Sequence, residues 1–186
     1  IGYKNVTLRR SLGIETIPEE RNYHATVPSL KLNENVFLTF YYKYYETKNF
    51  FSRLFISPQN SLDQSIKIIE KNDVRCPEKN PFANQLSGGN LQKFIIGRSL
   101  ASKPKVAIFS QPTWGVDIGA ATSIRQKLLD LANDGQAVIV ISQDLEEIFQ
   151  LSDKIAVINN GKLSNIKDVK NITARDVGIL MGSNSS

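Results

Sequence analysis

Four short apolar runs rich in β-branched residues punctuate the chain: Ile14-Glu15-Thr16-Ile17, Val106-Ala107-Ile108-Phe109, Ala137-Val138-Ile139-Val140-Ile141 and Ile155-Ala156-Val157-Ile158. The second and third are almost unbroken, the pattern of strands buried on both faces of a parallel sheet. Between them Ile124, Leu128 and Leu131 recur at helical spacing from about Ala120, and Asn133-Asp134-Gly135 stops the pattern. Strand, helix and strand in this order predict a βαβ unit with a right-handed crossover. After the fourth run, Asn159-Asn160-Gly161-Lys162 leading into Leu163 predicts a hairpin with a primed turn.

The first half reads differently. Asn33 to Tyr45 predicts an aromatic-rich helix whose Val36, Phe37, Phe40, Tyr41 and Tyr44 form one apolar stripe, packing a core or facing a partner. Leu62 to Ile69 predicts a second helix. Gly88 to Ala101 predicts a third, set off by a break at Pro77, Asn80 and Pro81 and closed by Lys103-Pro104. The tail from Gly182 reads as frayed. The first strand is thus parted from the others by a helical block. The expected fold class is α/β: a parallel-sheet core with an inserted α-helical lobe.

Composition narrows the chemistry. The 186 residues, 41% hydrophobic and 22% charged, suit one domain with a real core and exclude collagen, a disulfide-stapled miniprotein and a wholly disordered chain. The net charge of +5 comes from scattered basic residues, so no nucleic-acid partner is expected. Cys76 is the sole cysteine, which leaves no internal disulfide and no multi-thiolate metal site. His24, the sole histidine, stands in Tyr23-His24-Ala25-Thr26 without metal spacing and reads as a loop residue. No apolar run is long enough to span a bilayer, and Ile1-Gly2-Tyr3-Lys4 opens no signal peptide. A start at Ile1 is expected of a fragment, and the fragment is expected to be soluble.

One segment carries candidate chemistry. Leu86-Ser87-Gly88-Gly89-Asn90-Leu91-Gln92-Lys93 stands at the start of the third predicted helix. Paired glycines there leave backbone N–H groups open to a phosphate, Ser87 adds a hydroxyl, and the helix dipole adds positive potential. A Ser-Gly-Gly turn alone is compatible with any helix start.

The longer string resembles the signature motif of ATP-binding-cassette (ABC) ATPases. The family's order continues through Gly97-Arg98-Ser99-Leu100-Ala101, then Val106-Ala107-Ile108-Phe109-Ser110-Gln111-Pro112-Thr113 at the Walker B strand, then Gly115-Val116-Asp117 at the D-loop. Val140-Ile141-Ser142-Gln143-Asp144 resembles the switch region. Gly13-Ile14-Glu15-Thr16-Ile17-Pro18-Glu19-Glu20-Arg21 resembles the Q-loop region. Asn90-Leu91-Gln92-Lys93 after the glycines, Ile17-Pro18-Glu19-Glu20-Arg21 and Gly115-Val116-Asp117-Ile118-Gly119-Ala120 are similar to the second cassette of fused importers for simple sugars and nucleosides. The resemblance implies a partial P-loop NTPase core. Residues 1–22 would end the core with the Q-loop, 23–102 would form the helical signature lobe, and 103–186 would complete the core. It implies ATP and Mg²⁺ in an assembled transporter, with a second nucleotide-binding domain and integral membrane permease subunits as partners. The location implied is cytoplasmic, peripheral at the inner face of the cell membrane. Ser87, Gly88, Gly89, Asn90 and Gln92 would face ATP bound by the partner cassette.

Three departures from the family pattern bear on activity. No Gly-x-x-x-x-Gly-Lys-[Ser/Thr] phosphate loop (Walker A) occurs in the chain. The Walker B positions expected to hold Asp-Glu hold Ser110 and Gln111; a hydroxyl offers Mg²⁺ far less than a carboxylate, and an amide cannot accept a proton from water. The switch position holds Gln143 in place of histidine, and the Q-loop position holds Glu19 in place of glutamine. These changes point to a degenerate site that does not hydrolyse ATP in cis, beside a signature and an Asp117 that look intact. Two alternatives belong to other classes: a non-catalytic pseudo-ATPase interaction module, and a soluble ABC ATPase acting on nucleic acid.

Overall fold

Strand β1 (Ile14–Ile17) pairs in parallel with β2 (Val106–Ser110), and β2 pairs in parallel with β3 (Ala137–Ile141), so that Ile17 lies opposite Phe109 and Ser110 opposite Ile141. These relations come from a computed structural model that describes residues 2–46 and 58–182. Helix α1 (Val6–Ser11) precedes β1, and α2 (Leu32–Glu46), α3 (Pro58–Lys71) and α4 (Gly88–Leu100) separate β1 from β2. Helix α5 (Ile118–Asn133) makes the β2–β3 crossover. The inserted helical block on a parallel α/β core is therefore what the sequence predicts.

The chain divides into two compact units, Ile1–Ile141 and Ser142–Ser186. In the first, the core gathers Ile17 and Phe109 from the sheet, Leu32 and Val36 from α2, Phe94, Ile95 and Ile96 from α4, and Ile124 and Leu128 from α5, all essentially excluded from solvent. Helix α4 is buried on every side from Phe94 to Ser99, which explains why its apolar residues show no single stripe. Asn72 packs where a side chain on Gly97 would stand. Its Nδ2 donates to Ile68 O at 2.7 Å and its Oδ1 accepts from Lys127 Nζ at 2.8 Å. One buried amide thus ties α3 to α5 across a glycine of α4.

The second unit has its own core of Ile155, Val157, Ile172 and Val177, packed by Leu145, Ile148, Phe149, Val169 and Leu180. It contains α6 (Leu145–Leu151), the short strands β4 (Lys154–Ile155), β5 (Ile158–Asn159), β6 (Lys162–Leu163) and β7 (Lys167–Asp168), and α7 (Ala174–Gly182). The predicted hairpin is present: Ile158 pairs with Leu163 and Asn159 with Lys162, and Asn160 and Gly161 both have positive φ, 49° and 74°, as a primed turn requires.

Two expectations are corrected. Strand β3 is not buried on both faces: Ile139 and Ile141 are 48% and 47% exposed on the face that also carries exposed Ala137, whereas Val138 and Val140 on the other face are half-buried. The run 155–158 is not one strand: Ile155 pairs with Lys167 of β7 and Ile158 with Leu163 of β6, so the run changes partner midway. In the aromatic stripe Val36 and Phe40 are buried, whereas Tyr41 is exposed and meets Phe37 edge-on at 5.8 Å. The side chain of Tyr44 and the tail beyond Gly182 lie outside the described residues.

These packing differences have a measurable consequence. Ile124→Ala should cost about 2–4 kcal/mol of unfolding free energy in urea titration, and Ile139→Ala under about 1 kcal/mol, because only the first leaves a closed cavity.

Candidate functional site

Ser87 is the N-cap of α4, with extended backbone at φ −62° and ψ 156°. Its side chain makes no capping hydrogen bond; Oγ instead accepts from Asn90 Nδ2 at 2.9 Å. The first-turn N–H groups of a helix have no intrahelical acceptor, and Ser87 does not supply one here. Ser87 and Gly88 are exposed, and Gly89 and Asn90 are partly so. Asn90 is held from the other side, its Oδ1 accepting from Arg75 N at 2.9 Å. The result is an open helix N-terminus with a hydroxyl and an amide beside it.

Both glycines are closely approached by neighbouring side chains. A Cβ on Gly88 would stand 3.0 Å from Arg21 Nη1, and one on Gly89 would stand 3.2 Å from Asp117 Oδ2 and 3.4 Å from Ala120 Cβ. Asp117 is itself the N-cap of α5, its Oδ1 accepting from Ala120 N at 2.9 Å. Two helix N-termini therefore meet at Gly89, and the turn 112–117 lies against the start of α4. Gly115 in that turn has φ +62°.

Gln92 lies elsewhere than the other signature residues. It is 1% exposed, donates through Nε2 to Pro112 O at 2.9 Å and accepts through Oε1 from Arg21 Nε at 3.1 Å. Its amide is spent inside the fold and does not line the open end of α4. Arg21 also reaches Gly115 O at 3.5 Å. Burial lowers the pKa of Arg21 from its usual value, and Glu20 opposes the shift. The loop after β1 folds on itself to present this guanidinium: Thr26 N and Oγ1 both donate to Arg21 O, at 2.9 and 2.7 Å, and Tyr23 N donates to Thr26 O at 2.7 Å. Glu19 is exposed in the same loop. Pro18, Glu19, Arg21, His24, Trp114 and Gly115 line an open cleft.

A second guanidinium braces this region from behind. Arg98 of α4 is buried, donates to Ala25 O and, at 3.4 Å, to Asn35 O, and lies 5.8 Å from the centre of the Phe94 ring. Burial pushes its pKa down to about 10, with Glu15 raising it and Arg10 lowering it. Arg10 pairs with Glu15 of β1 at 3.4 Å.

Ser110 ends β2, half-buried, and Gln111 follows with a left-handed backbone at φ 48°. Gln111 N donates to Ile141 O at 2.8 Å, extending the ladder one residue past the strand. A residue with a Cβ held in that region costs about 1–2 kcal/mol, so the turn fixes Gln111 against its own preference. Gln143 is exposed and belongs to the other unit. It immediately precedes Asp144, which caps α6 by accepting from Glu146 N at 2.9 Å and Glu147 N at 3.2 Å. The structure thus brings together Ser87, Gly88, Gly89, Asn90 and Asp117. It adds Arg21, which the sequence shows only as the last letter of a motif.

The chain is similar to the guanosine import ATP-binding protein NupO of Bacillus subtilis, 35% identical over 184 residues that make up 98% of this chain and 35% of that protein. It is similar to the nucleoside import ATP-binding protein NupA of Lactococcus lactis, 39% identical over 165 residues, 89% of this chain and 32% of that protein. Among solved structures, a nucleotide-free ATP-binding cassette from an ABC transporter superposes with a TM-score of 0.71 at 21% identity, over 97% of this chain and 73% of that one. The dimeric structure of a bacterial ABC transporter cassette gives 0.69 at 23%, over 89% and 67%. No protein-family model matches the chain. Its curated relatives are the ATP-binding proteins of nucleoside and sugar importers, and its structural neighbours are ATP-binding cassettes, whose α/β fold it shares. It spans about a third of the length of these curated relatives.

The two polar side chains at the start of α4 should separate in stability measurements. Gln92→Leu leaves Pro112 O and Arg21 Nε without their partner and should cost about 1–3 kcal/mol in urea unfolding. Ser87→Ala removes no capping bond and should stay within about 0.5 kcal/mol.

Proposed function

We propose that this chain is part of the ATP-binding subunit of a nucleoside or simple-sugar importer, from its second cassette, and that it completes a nucleotide site whose phosphates are held by a partner cassette. The observation that carries the reading is the open N-terminus of α4. Ser87 does not cap it, Gly88 and Gly89 keep it clear, and Asp117 of the D-loop abuts it. Backbone N–H groups at a helix start, a hydroxyl and the helix dipole stabilise a terminal phosphate without any ionisable side chain. Ser87, Gly88, Gly89 and Asn90 would face the ATP, and Gln92 would set the angle at which they do so.

The chain's own catalytic positions do not suit hydrolysis. Ser110 and Gln111 bring no carboxylate to hold Mg²⁺ or to take a proton from water, and Gln143 brings no imidazole. Mg²⁺ therefore has no anionic ligand at these positions, and ATP with Mg²⁺ belongs to the assembled transporter. In this reading residues 1–22 and 103–186 serve the core and 23–102 the signature lobe. The partners are a second nucleotide-binding domain and membrane permease subunits, and the location is the cytoplasmic face of the membrane. No helix among the described residues is long and apolar enough to cross it. The side of α2 that carries exposed Tyr41 and half-buried Phe37 would face the permease.

Two measurements test the proposal. Gly89→Asp in the full-length ATP-binding protein with its membrane components should cut ATP turnover at least about a hundredfold, the scale of losing an oriented donor set at a transferring phosphoryl group. Unchanged turnover would overturn the reading. The isolated chain should show no ATP turnover; tight Mg-ATP binding with hydrolysis by it would refute the degenerate site.

A further inference from the structure

One side chain links three segments that lie far apart in sequence. The Arg21 guanidinium donates through Nε to Gln92 Oε1 at 3.1 Å and through Nη1 to Gly115 O at 3.5 Å. Gln92 closes the circuit by donating to Pro112 O at 2.9 Å. The backbone of Arg21 is itself pinned by the two Thr26 bonds to its carbonyl, and Thr26 is buried. Nη1 also fills the space beside Gly88 that a Cβ would need. Both ends of the turn 112–115 and the start of α4 are thus tied together by Arg21 and Gln92 acting as a pair.

We propose that Arg21 is the positioning residue that fixes the N-terminus of α4 against the turn 112–117 and ties both to the loop that follows β1. The inference deepens the proposed function and rests on its reading of α4 as a phosphate-binding end. Arg21 touches no nucleotide in this scheme. It makes the loop after β1, the signature residues and Asp117 move as one piece, so a displacement of the loop reaches the donors on the partner's nucleotide. The role needs the fork rather than the charge: a guanidinium presents Nε and Nη1 to two acceptors at a fixed angle, whereas a lysine ammonium is a single mobile donor centre.

The test uses the full-length ATP-binding protein assembled with its membrane components in lipid vesicles, with Arg21→Lys, Gln92→Met, the double variant and Gly89→Asp in parallel. Arg21→Lys should lower kcat for ATP about tenfold or more while KM for ATP stays within about twofold, the signature of lost transition-state positioning rather than lost ground-state binding. Gln92→Met should do the same, and the double variant should be no worse than either single one, because one circuit is broken in each. A kcat within about twofold of the parent for Arg21→Lys, or a KM increase of about tenfold at unchanged kcat, would overturn the inference. If the Arg21→Lys protein does not assemble, Gln92→Met decides alone: lowered kcat supports the inference and parental kcat overturns it. Loss of turnover in Gly89→Asp with parental turnover in both others would overturn this inference alone. Parental turnover in Gly89→Asp would overturn the reading beneath it, and the inference with it.

Discussion

Helix α4 begins against the turn that follows β2, and the approach is so close that a methyl group on either Gly88 or Gly89 would displace a neighbour. That contact organises this end of the fold. It places the helix N-terminus beside the N-terminus of α5, so two positive dipole ends share one surface. Asp117 supplies the compensating negative charge, one oxygen capping α5 and the other lying near Gly89. The end of α4 keeps its N–H groups free of any bond to the Ser87 side chain, whereas α5 is capped. Of the two helix starts, α4 is therefore the one with capacity left for an anion.

The buried polar groups around α4 serve this placement. A fully apolar helix could pack in several rotations, since any greasy face suits a core. Gln92 and Arg98 remove that freedom: each is buried, and each donates only to particular carbonyls, Pro112 O for one and Ala25 O and Asn35 O for the other. A slipped helix would leave these groups unpaired in a medium of low dielectric, which is costly. Burial also lowers the pKa of Arg98, working against its charged form, and Glu15 opposes the shift.

The parallel sheet, the crossover helix and the hairpin were legible in the sequence because each leaves a local signature: an unbroken β-branched run, a 3.6-residue period, an Asn-Gly pair. Helices α1 and α6 are too short for periodicity to show, and α1 buries no residue fully. Strand β7, Lys167–Asp168, carries no apolar pattern and is defined only by its pairing with β4. The apolar run of β3 suggests burial on both faces, but which faces another layer covers is not written in a strand's own composition. At the site, the glycines and Ser87 were visible as a motif, whereas the inward turn of Gln92 was not. Adjacent positions on a helix differ by 100°, and only packing tells which of them faces the ligand side. Arg21 could be found only once Gln92 and Gly115, 71 and 94 residues away, stood beside it.

In the proposed function, a site without ionisable groups at the strand ends can still offer a phosphate-binding helix end, because the two depend on different parts of the chain. Carboxylate and imidazole chemistry at the ends of β2 and β3 would need particular side chains, and Ser110, Gln111 and Gln143 do not provide them. Gln111 holds a left-handed backbone, with its N–H on Ile141 O, so the shape of the turn is set by the backbone rather than by an ionisable side chain. In the proposed function, phosphate binding at α4 would draw on backbone N–H groups, a hydroxyl and a dipole, which substitutions at the strand ends do not alter. What would erase it is a change in the angle between α4 and the turn 112–117. That angle is set by the glycine contact, Gln92 and the Arg21 fork, none of which lies at the strand ends.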